Sequence, residues 1–194
     1  MQLDRNLEVL IPHRLRAASA LNLACKYLMR WESPVPMEIF FNKKLAIEGT
    51  SSAVTNPMIE AGLIHCRALL EFLGLCAKRG SLANITLPRR RRDDIGIEHF
   101  SNSSGPLPLV TPTEAVAPYA GDKATAEAAL LMVFHVSNKG LAHFTSDLGR
   151  SVADVRLLEI ASRGIEVLVH NKLYMALGLP SPDVAIPSRQ RPDC

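Results

Sequence analysis

Two groups of side chains have the types and spacing that chemistry needs. His135, Asn138, Lys139 and His143 fall three and four residues apart, so a helix through them presents all four on one face. An imidazole beside a cation and an amide can move protons or stabilise a phosphate. The same spacing is also met by a solvated face with His143 bonded to a neighbouring helix. The second group is Arg67 and Glu71, one helical turn apart in a strongly apolar stretch. A charge on such a helix needs a partner, because unpaired buried charge is expensive. Arg-then-Glu is the weaker order for an i,i+4 pair, which favours partners on other helices. The pair then reads either as an internal register device or, with Arg67 facing the polar patch of His135, Asn138, Lys139 and His143, as part of an anion site.

The only charge run is Arg89-Arg90-Arg91-Arg92, followed directly by Asp93-Asp94. Arg91 and Arg92 are candidate phosphate contacts of the salt-sensitive, sequence-blind kind. The two aspartates offset half of that charge, and no aromatic residue is interleaved for base stacking. His65, His99 and His170 stand alone. The sequence has no HExxH, no phosphate-binding loop, no dinucleotide-binding glycine pattern and no nucleophile elbow. None of the four cysteines forms a CxxC pair, so no metal and no cofactor is expected.

Positioning these groups is work for helices. Apolar residues at four- and three-residue steps predict one helix from about Pro12 to Trp31 and another from Asn56-Pro57 to Arg79-Gly80. A shorter helical piece is expected over Met37 to Ile47. On the second long helix Glu60, Arg67, Glu71 and Lys78 would share a stripe about 40° wide. Residues 81–121 read as a long irregular connector, with one or two helical turns between Asp94 and Phe100. A third long helix is expected from Asp122, as its N-cap, to Phe144. A fourth follows Ser151-Val152-Ala153-Asp154, a capping box with Asp for Glu, and ends before Gly178 and Pro180. The fold class that follows is all-α: an antiparallel bundle of four to five helices, with no strand pair. Residues 1–180 would form one domain and 181–194 a loose tail.

Hydrophobic residues are 47% of the 194, charged residues 21%, and the net charge is +3. That is ordinary globular usage, and the charge is too small to imply a nucleic-acid or membrane partner by itself. Charges interrupt the most apolar run, Pro57 to Ala77, and the first residues lack a signal-peptide pattern. A cytoplasmic protein with no membrane partner is expected.

Three stretches together resemble the HEPN superfamily of small helical proteins: Asn56 to Leu73, Arg92-Asp93-Asp94 to Phe100, and Ser137-Asn138-Lys139-Gly140-Leu141-Ala142-His143-Phe144-Thr145. The resemblance spans about residues 56 to 175. It implies a bundle that often dimerises and, in many members, metal-independent RNA cleavage. Those members use an arginine, four to six residues, then a histidine that assists attack by the 2′-hydroxyl. His143 matches the histidine, whereas Asn138 stands where the arginine is expected. Either Arg67 or Lys139 substitutes, or the chain does not cut RNA. The expectation is a domain binding RNA or a protein partner, with a homodimer and ribonuclease activity both open. The alternative is a non-catalytic interaction module.

Overall fold

Apolar residues at helical spacing, entered through Pro12 in a first turn, form α1 over Ile11–Arg30. A wider helical turn, Asn6–Leu10, precedes it. In this computed structural model residues 5–86, 93–140 and 151–184 are described, with Lys139 and Gly140 described in their backbone only. The remaining elements are β1 (Pro36–Phe41), β2 (Lys44–Thr50), α2 (Ser52–Phe72), β3 (Leu75–Lys78), β4 (Ser81–Asn84), a 3-10 turn (Ile97–His99), β5 (Ser101–Asn102), β6 (Gly105–Pro106), α3 (Pro112–Val116), α4 (Lys123–His135) and α5 (Val152–Val169). Wider helical turns extend α4 through Val136–Gly140 and α5 through His170–Tyr174.

α1 packs on α2 and α5, and α4 packs on α5. Leu15, Ala18, Leu21, Cys25, Leu63, Cys66, Leu70, Val133, Ile165 and Leu168 are buried in one apolar cluster. Gly62 lets α1 and α2 approach closely. A Cβ there would stand 2.5 Å from Leu21 Cβ and 2.9 Å from the Ala17 carbonyl oxygen. Asn22 fixes α1 against α5, since its amide donates to the Glu159 carbonyl at 3.1 Å and to Ser162 Oγ at 3.2 Å. Tyr174 closes the other end, donating to the Leu7 carbonyl at 2.8 Å. No described helix is long and apolar enough to cross a membrane.

The helical core matches the periodicity, but the all-α expectation fails. Among the described residues three two-stranded antiparallel sheets pair β1 with β2, β3 with β4 and β5 with β6, so the fold is mixed helix and sheet. Met37 to Ile47, expected to be helical, instead holds most of the β1–β2 hairpin. Its turn residues Asn42 and Lys43 have φ of 50° and 66°, the left-handed pair that matches the twist of antiparallel strands. The second helix stops at Phe72, not Gly80, because Gly74 takes φ +92° and the chain reverses into β3. Lys78 therefore leaves the expected charged stripe and sits on β3. The consecutive apolar residues Leu75, Cys76 and Ala77 of this strand had continued the helical pattern by coincidence. α2 also begins earlier, at Ser52, and carries Pro57 inside it.

The 81–121 connector is likewise not irregular throughout. It contains β4, the 3-10 turn, the β5–β6 pair and α3, which has its own capping box between Thr111 and Glu114. Asp122 caps α4 as expected, accepting from the Thr125 amide at 3.0 Å. Ser151 and Asp154 form the expected reciprocal cap, with Asp154 N donating to Ser151 Oγ at 3.1 Å and Ser151 N to Asp154 Oδ2 at 3.2 Å. The end of the expected third helix, 141–144, lies outside the described residues, as do residues 185–194 of the expected tail.

Candidate functional site

The α2 side chain of Arg67 reaches the turn that follows α4. Its Nε donates to Glu71 Oε1 at 2.8 Å, and its Nη1 donates to Asn138 Oδ1 at 2.5 Å. Two elements far apart in sequence are thus joined at one guanidinium. Arg67 and Glu71 are both about half-exposed, so this is a surface junction, not a buried ion pair. A guanidinium carries five N–H donors in a planar fork, and among the described residues these two bonds leave its remaining donors available to an acceptor. The Arg-then-Glu order did not prevent the intrahelical pair, which forms alongside the bond to Asn138.

Glu71 also lines a concavity of about 320 Å³ between α1 and α2, shared with Arg14, Asp93 and Asp94. On the wall of α1, Arg14 Nη1 lies 3.1 Å from His65 Nδ1. Arginine is donor-only, so Nδ1 accepts and the proton of His65 sits on Nε2. His13 meets the same ring edge-on, with centroids 5.1 Å apart. Burial lowers the pKa of His65, and the Arg14 and His13 charges lower it further. The ring is therefore held neutral.

The structure brings together Arg67, Glu71 and Asn138 of the candidates read from the sequence. His135, at the end of α4, is exposed and makes no hydrogen bond or ion pair among the described residues. His143, Arg91 and Arg92 lie outside the described residues, and so does the side chain of Lys139. His65 was missed. Read singly it was an isolated histidine, and the adjacent His13-Arg14 dipeptide on α1 was the one signal of company for it. Among the described residues no group of three or more His, Cys, Asp or Glu is placed to hold a metal ion. No known protein family, curated protein or solved structure matches the chain.

Proposed function

We propose that the chain binds single-stranded RNA at the Arg67–Asn138 junction, with Arg67 as the principal phosphate contact. The observation that carries this reading is the Arg67–Asn138 hydrogen bond. The HEPN-like pattern asks for an arginine at position 138. Here a guanidinium from α2 stands one hydrogen bond away from that position, so Arg67 fills the role the motif leaves vacant. Its free edge suits a phosphate oxygen, for which arginine's fork is the best match among side chains. Metal-independent cleavage is the catalytic extension of the same reading, and there His143 would supply the imidazole that moves the 2′-hydroxyl proton.

The test uses labelled single-stranded RNA in EDTA, with binding followed by anisotropy and cleavage by gel. Arg67→Ala should weaken binding about tenfold, the loss of one charge-assisted contact. His143→Ala should leave binding intact and abolish any cleavage. Equal affinity for wild type and Arg67→Ala would reject the site.

A second reading is favoured by the Arg67–Glu71 pair itself. Glu71 already balances the guanidinium, as it would in a non-catalytic interaction module where Arg67 simply ties α2 to the turn after α4. In that case Arg67→Ala lowers stability, and the chain shows no RNA affinity to lose.

A further inference from the structure

At the opposite end of α2 a second, larger cavity of about 450 Å³ opens between the C-terminal end of α1, the first turns of α2 and the start of α5. Its volume lies in the range of small-molecule sites. Buried Cys25, Leu63 and Leu158 contribute to its lining, and Trp31 stands nearer its mouth, stacked on Tyr27 with ring centroids 4.8 Å apart. Burial, and then the charge of Glu159, push the Cys25 thiol up to about 12, so it is a protonated, inert part of an apolar wall.

Two features give this cavity a chemical preference. Thr55 lines it, is 4% exposed, and its Oγ1 is fully enclosed without a hydrogen-bond partner among the described residues. A buried hydroxyl left in that state costs stability, and a ligand atom that bonds it recovers the loss. The rim carries Glu32 and Glu60, both exposed; among the described residues neither is ion-paired, and none of the lining residues is Lys, Arg or His. Carboxylates beside an indole face attract an ammonium group.

We propose that this cavity binds an amphiphilic amine, with its apolar body inside, a hydroxyl or carbonyl bonded to Thr55, and its ammonium at Trp31, Glu32 and Glu60. The site is separate from the Arg67 junction and does not depend on RNA binding. Its ligand is recognised at both ends, by hydrogen bond within and by charge at the mouth.

Trp31 is the only tryptophan in the chain, so its fluorescence reports on this cavity alone. The experiment titrates full-length protein with 8-amino-1-octanol, octylamine and 8-hydroxyoctanoate. The amino alcohol should give a saturable Trp31 response. The hydroxy acid, with the same chain and hydroxyl but the opposite charge, should bind at least about tenfold more weakly. Octylamine should bind several-fold more weakly, for lack of the hydroxyl. Glu32→Gln with Glu60→Gln, two exposed changes that leave the fold intact, should narrow the gap between amine and acid. Thr55→Val should make amino alcohol and octylamine equivalent. If that variant does not fold, the octylamine comparison on wild type still decides the inner contact. No saturable response, equal binding of the acid, or a charge preference unchanged in the double variant would overturn the proposal.

Discussion

The β1–β2 and β3–β4 hairpins turn on the same device, two successive residues with positive φ, Asn42-Lys43 in one and Arg79-Gly80 in the other. Water meets them very differently. β3–β4 is pinned to the helical body: Leu75 is 0% and Leu82 6% exposed, and the Leu82 amide donates to Glu127 of α4 at 3.1 Å. Asn84 adds two more ties, to the Gly74 carbonyl at 3.1 Å and the Val110 carbonyl at 2.7 Å. β1–β2 is held mainly at its base, where Ser51 N donates to the Val35 carbonyl at 2.8 Å and Val35 N donates to Ser51 Oγ at 3.2 Å. Every residue of β2 is exposed, Phe41 is 64% exposed, and Glu38 stands directly opposite Glu48. Like charges across a ladder are unfavourable, and a lone two-stranded hairpin is marginal in water. Equal local geometry therefore yields a structural element in one place and an appendage in the other, and the difference is made by burial.

The largest effect should separate the two at once. Leu82→Ala removes a buried side chain from the apolar cluster and should cost about 2–4 kcal/mol in denaturant unfolding. Phe41→Ala removes more carbon from a solvated tip and should change global stability by no more than about 0.5 kcal/mol. Equal losses would show that β1–β2 is packed into the cooperative unit after all. Asn84→Ala comes next. It removes the donor to the Val110 carbonyl beneath β3–β4, while the Gly74 carbonyl keeps its bond from the Ile85 amide, with an expected cost of about 1–3 kcal/mol.

What could be read in the sequence follows the same division. The faces of α1, α2, α4 and α5 were legible because helix burial repeats every three to four residues over long stretches. The caps at Asp122 and Ser151 were legible because a cap is a local contact between residues three apart. Neither hairpin was. Lys43 and Arg79 are poor signals for left-handed backbone, and the apolar residues of β3 fall in phase with the helix before it. At the candidate site, Arg67 and Glu71 could be singled out as charges on an apolar helix. The meeting of Arg67 with the face that carries Asn138 stood as one of two open readings, and the Arg14–His65 contact was not read at all, because each depends on how separate helices are rotated against one another.

The pH response sharpens the contrast further, because the helical body contains a strained carboxyl. Glu166 on α5 has one side-chain oxygen buried without a partner among the described residues, and desolvation raises its pKa from the ordinary 4.5 to about 7 against the opposing pull of Lys26. Between those values the folded chain holds a proton that the unfolded chain has released. Stability should fall as pH rises through that window and remain lower above it. Allowing for the carboxyl's partial exposure, Glu166→Gln should recover about 1–2 kcal/mol at pH 8 and flatten the fall. Amide exchange in β3–β4 should follow this pH dependence where it requires global unfolding, whereas β1–β2 exchange by local opening should not. A variant whose stability falls as steeply as wild type would place the titration elsewhere.

The smallest effect tests the appendage by itself. Lys43 holds φ +66° with a full side chain, a conformation that glycine adopts without the steric penalty. Lys43→Gly relieves that strain, and the relief is partly offset by the greater freedom of glycine in the open hairpin. The net gain should be under about 1 kcal/mol. Because, among the described residues, the strands are tied to the body mainly near Ser51, the gain should appear as slower amide exchange across β1–β2, with the global melting temperature unchanged. A rise of several degrees in the global melt would mean that the hairpin's closing free energy is shared with the helices, which its exposed faces and its mainly basal attachment argue against.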